Sequence, residues 1–236
     1  MQLHNKAVLI TSGAKRLGFY LAQESLDQGF DVVLHYRSNR EEAVRWLSQN
    51  KSFRNRTTFV KADLDGREEE VLLQALRKAP QLCGLVNNAS IFMKGDLLDL
   101  ENAQRLLRTN TLIPLRLCDA FRRHVGKGWI VNITDAKAEE PDRPFQNYRL
   151  SKRLLGELTE LLAVCYGPAI RVNAVAPGAM LPSSETGRKG FKRLRTRVPL
   201  KEVGRVDSLR RAFAHLVEDT YATGQTMFVD GGWRLT

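Results

Sequence analysis

Short apolar segments alternate with segments of helical apolar spacing along the chain. The apolar segments are too short for helices and end at polar residues, so each is predicted to be a buried strand. Such alternation is typical of a parallel sheet that helices cover on both faces. The sequence therefore predicts an α/β fold, a doubly wound parallel sheet of about seven strands. The predicted strands are Ala7–Ile10, Val32–His35, Thr57–Lys61, Leu82–Val86, Trp129–Ile133, Ile170–Ala174 and Thr226–Val229.

The segments between the predicted strands have apolar residues at helical spacing, with one exception. Residues 177–205 are basic and irregular in pattern, and within them 179–205 is predicted to be a substrate loop. Nothing in the composition marks a linker, so we predict one domain over residues 1–236. The first predicted helix ends at about Gln28. The others span Arg40–Asn50, Arg67–Ala79, Leu100–His124, Arg149–Cys165 and Ser208–Glu218.

The composition excludes several classes of protein. Hydrophobic residues make up 43% of the chain, which favours a packed core over disorder. No apolar run approaches the ~20 residues of a membrane-spanning helix, and the first residues lack a secretory pattern. Cys83, Cys118 and Cys165 are predicted to be buried free thiols without metal-binding spacing. We therefore expect a cytoplasmic protein with no metal site.

The formal charge of +11 favours an anionic partner, either nucleic acid or a phosphorylated small molecule. Six cations lie between Gly187 and Arg197, beside Phe191. No nucleic-acid-binding motif accompanies them, so nucleic acid is the less favoured partner. A basic lid over an anionic substrate and a solvated loop both remain open as interpretations of this segment.

A polar turn, Thr11 to Gly18, follows the first predicted strand and opens the first predicted helix. This context is that of a dinucleotide site, in which backbone N–H groups at a helix N-terminus face the pyrophosphate. Arg16 and Leu17 stand at the helix start, and the Arg16 guanidinium adds a cation. Glycine is sparse and the spacing is not G-x-G-x-x-G, so a turn without a ligand is the alternative.

The end of the second predicted strand indicates which dinucleotide binds. The strand closes with His35, Tyr36, Arg37 and Ser38, and the next acidic residue is Glu41. An acid here takes the ribose hydroxyls of NAD, whereas an arginine accommodates the 2′-phosphate of NADP. The residues therefore predict NADPH/NADP⁺, with a solvated surface charge as the alternative for Arg37.

Tyr148 and Lys152 are four residues apart at the start of a helical pattern, so their side chains lie on one helix face. An ammonium stabilises a phenolate, and Lys152 is therefore predicted to lower the Tyr148 pKa from its usual ~10. Such a tyrosine is a candidate proton donor near neutral pH. Asp135, just past the fifth predicted strand, is a second ionisable candidate. The Tyr–Lys pair alone is weak evidence, because such pairs occur by chance on many helices.

Seven stretches together resemble the short-chain dehydrogenase/reductase family, which has a Rossmann-like fold. The resemblance covers the whole chain and implies that Lys152 binds the nicotinamide ribose, Asn110 places a water in a proton relay, and Asp63 contacts the adenine. It also implies a homotetramer. The stretches are Thr11–Gly18, Asp63, Asn87–Ala89, Asn110, Tyr148 with Lys152, Pro177–Gly178 and Asp230–Gly232. Further cofactor contacts implied by the resemblance are Leu64, Asn88, Ala89, Ser90, Pro177 and Gly178.

Two departures from the common family pattern are informative. The usual Thr-Gly-x-x-x-Gly-x-Gly turn has Ser12 and Arg16 in place of two glycines. The usual active-site serine, thirteen residues before the tyrosine, is replaced by Asp135. Thr134 does not take the serine's role, because neighbouring strand residues point to opposite faces. A carboxylate beside a ketone oxygen would repel developing alkoxide charge, so ordinary ketone reduction is disfavoured.

These departures resemble the pteridine reductase branch, as do Lys15–Gly18 and the sequence Asn-Ala-Ser at 88–90 followed by Phe92. The resemblance implies NADPH-dependent reduction of a dihydropterin or dihydrofolate to its tetrahydro form. A pterin is flat and aromatic, and it would stack between Phe92 and the nicotinamide. Core filling is the alternative role for Phe92.

The resemblance also assigns roles around the substrate. Tyr148 would protonate a ring nitrogen, Asp135 would orient Tyr148 or the pterin, and Lys152 would tune the pair. Arg16 and Ser90 would contact the pterin. Two other functions stay open: a reductase of another carbonyl substrate, such as an acyl or sugar ketone, and a non-catalytic NADP(H)- or RNA-binding protein. Retention of Asn110 with the Tyr–Lys pair argues against the second.

Overall fold

Seven parallel strands form one sheet in the computed structural model, which describes residues 6–141, 143–182 and 187–236. The strands are β1 (Ala7–Ile10), β2 (Asp31–Tyr36), β3 (Thr57–Lys61), β4 (Leu82–Asn87), β5 (Gly128–Ile133), β6 (Ile170–Pro177) and β7 (Thr226–Val229). Their order across the sheet is β3-β2-β1-β4-β5-β6-β7. The predicted α/β fold is confirmed.

Helices cover both faces of the sheet. One face carries α3, α5 and α6, and the other carries α1 and α8. The α-helices of the described ranges are α1 (Arg16–Asp27), α2 (Glu41–Gln49), α3 (Glu68–Lys78), α4 (Leu100–Leu107), α5 (Ile113–His124), α6 (Gln146–Tyr166), α7 (Gly187–Leu194) and α8 (Val206–Glu218). Strand β1 shows why its sequence is apolar throughout: Ala7 and Leu9 enter one core, whereas Val8 and Ile10 enter the other. A strand buried on both faces needs apolar residues at every position.

The strand order changes direction at β1: β2 and β3 are added on one side of it, and β4 to β7 on the other. Loops after these strands therefore diverge and leave a crevice at their carboxyl ends, where open α/β sheets bind ligands. The turn after β1 and the segments after β4, β5 and β6 all reach this edge. The other candidates follow β2 (Arg37), β3 (Asp63) and β7 (Asp230) or lie on helices beside the sheet.

Two predicted boundaries are wrong, for identifiable reasons. Residues 177–205 were expected to be irregular, but β6 continues to Pro177 and residues Gly187–Leu194 form α7. Phe191 and Leu194 lie on one side of α7 and its cations on the other, so the segment is amphipathic at helical spacing. Residues 183–186 of the predicted loop lie outside the described ranges.

The predicted long helix Leu100–His124 contains a π-helical turn at Arg108–Leu112, which includes Asn110. Pro114 explains it, because proline has no N–H to donate to the carbonyl four residues earlier and the helix register shifts there. Ile113 N–H accordingly bonds the Arg108 carbonyl, five residues back.

The exposure of the three cysteines tests one prediction made from the composition. Cys118 is buried and Cys83 partly buried, but Cys165 is exposed near the end of α6, so its predicted burial is wrong. Within the described ranges, no helix is long and apolar enough to cross a membrane. The same residues contain no group of His, Cys, Asp and Glu arranged to hold a metal ion.

Candidate active site

The turn after β1 has left-handed backbone at the two positions where the family pattern has glycine. Ser12 has φ 51° and Arg16 has φ 52°. This conformation costs a non-glycine residue about 1–2 kcal/mol, so other contacts must hold it. Asn88 supplies them: its Nδ2 donates to the carbonyls of Thr11 (2.9 Å) and Ser12 (3.2 Å). The turn therefore keeps its shape without the glycines.

His35 also supports this turn. Its Nδ1 accepts the Ser12 N–H at 3.2 Å, and its Nε2 contacts the Ala62 carbonyl at 3.1 Å. This pairing requires a neutral ring with the hydrogen on Nε2, and burial lowers the His35 pKa below its usual 6.5. Both ring nitrogens are engaged, so the side chain is not free for the predicted cofactor contact.

The start of α1 fits the phosphates of a dinucleotide. No side chain caps the helix, and its first turn contains no acidic residue. The Arg16 N–H donates to Glu42 at 3.2 Å, but the Leu17 and Gly18 amides have no partner within the described ranges. Unpartnered first-turn amides and the positive end of the helix dipole together form an anion site.

The side chains just beyond β2 are exposed, and two of them, Arg37 and Arg40, are basic. Arg37 is 69% exposed, and its guanidinium lies 3.9 Å from the Asp63 carboxylate. Arg40 lies over the rings of Phe59 (5.0 Å) and Tyr36 (5.7 Å). This edge therefore offers cations to a 2′-phosphate, with Asp63 alongside.

Tyr148, Asp135 and Lys152 converge at the carboxyl end of β5. The Tyr148 hydroxyl donates to Asp135 Oδ2 at 2.9 Å, and Asp135 Oδ1 accepts the Lys137 N–H at 2.8 Å. The Lys152 ammonium donates to the Ile133 carbonyl at 2.7 Å. The tyrosine and the lysine are almost completely buried. The three side chains predicted from the sequence thus line one cavity of about 490 Å³.

The pKa of Tyr148 does not change in the predicted direction. Burial and the charge of Asp135 raise it well above 10. Lys152 was expected to lower it, but its ammonium is bonded to a carbonyl and its own pKa falls to about 8 because it is buried. Burial likewise raises the pKa of Asp135, against the bonds from Lys137 and Tyr148. Tyr148 is therefore a neutral phenol at neutral pH, with its proton directed at a carboxylate.

Asn110 holds the segment after β4 in place. Its Nδ2 donates to the Ile91 carbonyl and to Ser151 Oγ, both at 3.0 Å, and its Oδ1 accepts from Ile91 N–H and Ser90 Oγ. Both N–H groups and both oxygen lone pairs are thus used by protein partners. A water relay at this residue would have to use its main chain.

Phe92 stands at the mouth of the cavity. It is 38% exposed, which excludes the core-filling alternative. It stacks on Phe145 with centroids 4.6 Å apart and meets the edge of the Tyr148 ring at 4.7 Å. A bridge between Gly95 and Phe145 and the bond from Gly95 N–H to the Pro144 carbonyl join the two loops that carry these rings. The result is an aromatic wall beside the phenol.

The cavity contains some predicted residues, omits others and includes several that the sequence did not indicate. Those predicted and present are Arg16, Leu17, Asn88, Ser90, Phe92, Asp135, Tyr148, Lys152, Pro177 and Gly178. Those predicted but outside its wall are His35, Tyr36, Arg37, Ser38, Asp63, Leu64, Ala89 and Asn110. Met180, Phe191, Leu194 and Arg197 lie in the predicted substrate loop 179–205, although none was named as a contact, whereas Lys137, Phe145, Arg149 and Trp233 were not predicted at all. Among the last four, Phe145 had a usable signal, since it lies about one helical turn before Tyr148.

A family model described as enoyl-(acyl carrier protein) reductase matches residues 13–234. The chain belongs to the short-chain dehydrogenase/reductase family. It is 31% identical to 3beta-hydroxysteroid dehydrogenase 1 of Eggerthella lenta, over 99% of this chain and 95% of the relative. It is 29% identical to glucose 1-dehydrogenase 2 of Bacillus subtilis, over 99% of this chain and 96% of the relative. The chain is thus an oxidoreductase of this family.

Two solved structures resemble this short-chain dehydrogenase/reductase closely. One is FolM alternative dihydrofolate reductase 1 from Brucella suis in complex with NADP, with a TM-score of 0.92 and 31% identity, covering 99% of this chain and 97% of that chain. The other is the Brucella canis protein complexed with NADP, with the same TM-score and identity, covering 100% and 96%. Together with the family membership, they confirm the prediction of a nicotinamide dinucleotide cofactor.

Proposed function

We propose that the chain is an NADPH-dependent pteridine reductase that converts a dihydropterin or dihydrofolate to its tetrahydro form. The observation that carries this proposal is the hydrogen bond from the Tyr148 hydroxyl to Asp135 at the base of an aromatic-walled cavity. In the reduction of a ketone, a carboxylate at this position would repel the negative charge that develops on the oxygen. A pterin can use one, because the N–H groups of its aminopyrimidinone edge donate hydrogen bonds to a carboxylate.

The shape of the cavity supports the same substrate. A flat, aromatic ring fits the space beside Phe92, whose partly exposed face is braced from behind by Phe145. The volume of about 490 Å³ lies within the usual range for a small-molecule site. The likeness to the two FolM alternative dihydrofolate reductases adds support from the fold. The steroid and glucose dehydrogenases among the relatives show that family membership alone does not select a substrate.

Tyr148, Asp135 and Lys152 have separate roles in the proton transfer. A bound reduced nicotinamide supplies the hydride. Tyr148 holds a proton at its phenolic oxygen and donates it to the ring nitrogen next to the carbon that is reduced. Asp135 keeps the phenol oriented and accepts from the substrate edge. Lys152, whose charge lowers the Asp135 pKa, offsets the negative charge left after the proton has moved.

The preference for NADPH is tested by Arg37→Ala. We expect the KM for NADPH to rise at least about tenfold and the KM for NADH to change by less than about twofold, because an arginine at this strand end pairs the 2′-phosphate. Removal of Arg37 also leaves the Asp63 carboxylate, now 3.9 Å from it, without this partner and facing the phosphate. Arg45→Ala, an exposed arginine on α2, is the matched control. Equal losses with both cofactors would contradict the phosphate role.

The function itself is tested by the oxidation of NADPH. Absorbance of NADPH is followed with dihydrobiopterin, dihydromonapterin and dihydrofolate in parallel, and repeated with NADH. Turnover of at least one of the three supports the proposal. Protein that binds NADPH but reduces none of them is instead a reductase of another carbonyl substrate. Protein that binds RNA in a salt-dependent manner without turnover would indicate the non-catalytic alternative.

We also propose that the chain assembles into a homotetramer. Large apolar side chains are exposed on and near α4 and α6, including Leu98 (85%), Leu161 (62%) and Val164 (84%). Exposed apolar residues on neighbouring helices are typical of a surface that another subunit covers. Native mass measurement should give four copies of the 26.7 kDa chain. A dimer or monomer at micromolar concentration would contradict the proposal.

A further inference from the structure

A second cavity of about 330 Å³ adjoins the catalytic cavity, and we call it the annex. Its wall consists of Lys137, Glu140, Arg149, Arg197, Trp233 and Thr236. All but Glu140 and Thr236 also line the catalytic cavity, so the annex extends the substrate site and does not form a separate one. On the basis of the proposed function, we propose that the annex binds an anionic substituent, a carboxylate or a phosphate, on the side chain of the pterin.

Lys137 is the main cation of the annex. It is only 5% exposed, although it lines both cavities. The ammonium donates to the Thr236 carbonyl at 2.8 Å, lies 3.0 Å from Glu140 Oε1 and is 5.4 Å from the centre of the Trp233 ring. An ammonium has three N–H donors. Two have acceptors within the described ranges, which leaves one donor for a ligand oxygen.

Arg197 supplies a second cation at the rim. Its side chain is exposed, and the guanidinium has no hydrogen bond or ion pair within the described ranges. A guanidinium presents paired N–H groups that match the two oxygens of a carboxylate or phosphate. Within the described ranges, the annex wall carries three positive side chains, Lys137, Arg149 and Arg197, against the one carboxylate of Glu140, so it favours anions.

The turn that carries Lys137 is fixed from behind by Arg149. Its Nη1 donates to the Lys137 carbonyl at 2.7 Å and to Glu140 Oε2 at 2.6 Å. This packing holds the Lys137 ammonium against the annex while the Lys137 N–H holds Asp135. An anion in the annex is therefore bound by the same short turn that orients the catalytic carboxylate.

The position of the annex identifies the molecule to which the anion belongs. Arg37, the candidate for the cofactor 2′-phosphate, lines neither cavity. Lys137, in contrast, is two residues from Asp135 and shares its cavity. A group in the annex is therefore next to Asp135 and Tyr148, where the proposed function places the substrate.

The test compares substrates with and without an anion. Dihydrofolate carries carboxylates, dihydroneopterin phosphate carries a phosphate, and dihydrobiopterin carries neither. In Arg197→Gln and in Lys137→Met, we expect the KM of an anionic substrate relative to that of dihydrobiopterin to rise about tenfold, since a charge-assisted pair is lost. Lys137→Arg should restore most of the ratio. Arg195→Gln, an exposed arginine that lines neither cavity, should leave it within about twofold.

Each outcome bears on the proposal. A change with dihydrofolate alone identifies a carboxylate, and a change with the phosphate alone identifies a phosphate. If the ratio is unchanged with both, or if all three KM values rise together in Arg197→Gln, the annex does not bind an anion.

A binding measurement separates failure of the annex from failure of the proposed function. Titration of p-aminobenzoylglutamate, which lacks the pterin, into the NADP⁺-loaded protein is followed by calorimetry. Binding by the wild type that Arg197→Gln weakens about tenfold supports the annex even if no pterin is reduced. If the protein reduces pterins but shows neither this binding nor the KM effect, the proposed function is supported and the proposal for the annex is contradicted.

Discussion

Tyr148→Phe is expected to lower kcat for a dihydropterin by about 10²–10⁴-fold, the usual contribution of a positioned general acid. The hydroxyl is the only group removed, and the ring keeps its edge contact with Phe92. The start of α1 and the Arg37 edge are untouched, so the dissociation constant of NADPH should stay within about twofold. Stopped-flow measurement of hydride transfer, with NADPH binding followed by fluorescence, tests both expectations.

The control and the pH dependence sharpen this test. Tyr221→Phe removes the hydroxyl of a tyrosine that is 97% exposed and should not affect turnover. In the wild type, the Tyr148 pKa is raised, so the phenol stays protonated and kcat should not fall because of Tyr148 between pH 6 and its usual ~10. Tyr148→Phe with unchanged turnover and intact NADPH binding would show that another group donates the proton.

How much of this site the sequence predicts depends on whether the signal is local. Tyr148 and Lys152 share a helix face because four residues make about one turn, and this holds in any fold. The strands at Ala7–Ile10 and Thr57–Lys61 are also predicted residue for residue. For Ala7–Ile10 the reason is that burial on both faces requires an unbroken apolar run. Motif, strand and turn together were enough to predict the fold and the positions of the main candidates.

The pKa of Tyr148 could not be predicted in this way. The spacing establishes that Lys152 is near, but not where its ammonium points, and the Ile133 carbonyl takes its hydrogen bond. Burial is a property of the whole fold and outweighs the charge of a lysine that is itself largely desolvated. An argument from sequence that considers charges but not burial therefore predicts a lowered Tyr148 pKa, which is the wrong direction.

The annex and the aromatic wall were missed for a related reason. Phe145, Lys137 and Trp233 come from three separate segments, and only the fold brings them to one cavity. No sequence spacing links residue 137 to residue 233. Likewise, α7 was predicted to be irregular because it lies in the six-cation segment Gly187–Arg197, whose composition resembles a solvated loop, although Phe191 and Leu194 line the cavity.

Lys152→Met is expected to abolish activity and at the same time to stabilise the protein at neutral pH. Burial lowers the Lys152 pKa from 10.5 to about 8. A shift of roughly 2.5 units corresponds to on the order of 3 kcal/mol of cost for keeping the charged form folded. Methionine has a similar length and no charge. It leaves the Ile133 carbonyl without its donor, which costs about 1–2 kcal/mol, so a net gain of roughly 1–2 kcal/mol is expected.

The sign of this effect with pH follows from linkage. The folded protein releases the Lys152 proton near pH 8 and the unfolded chain near 10.5, so the unfolded state binds more protons between these values. The stability contributed by Lys152 therefore rises with pH across this window and is lost as pH falls through about 8. The advantage of Lys152→Met should shrink by about 3 kcal/mol over the same interval and reverse by pH 10.5.

Urea denaturation of the wild type and of Lys152→Met at pH 7, 8, 9 and 10.5 measures this difference, because titration of groups that do not interact with Lys152 cancels between the two. Lys127→Met, at an exposed lysine, should give a difference near zero at every pH. A variant that is less stable than the wild type at pH 7, with no change in the difference up to pH 10.5, would mean that Lys152 is held by interactions stronger than its cost of burial. The lysine would then be a structural support as well as a functional group. If the gain is observed, the fold retains a destabilising charge in this cavity, and the proposed role in proton transfer accounts for its presence.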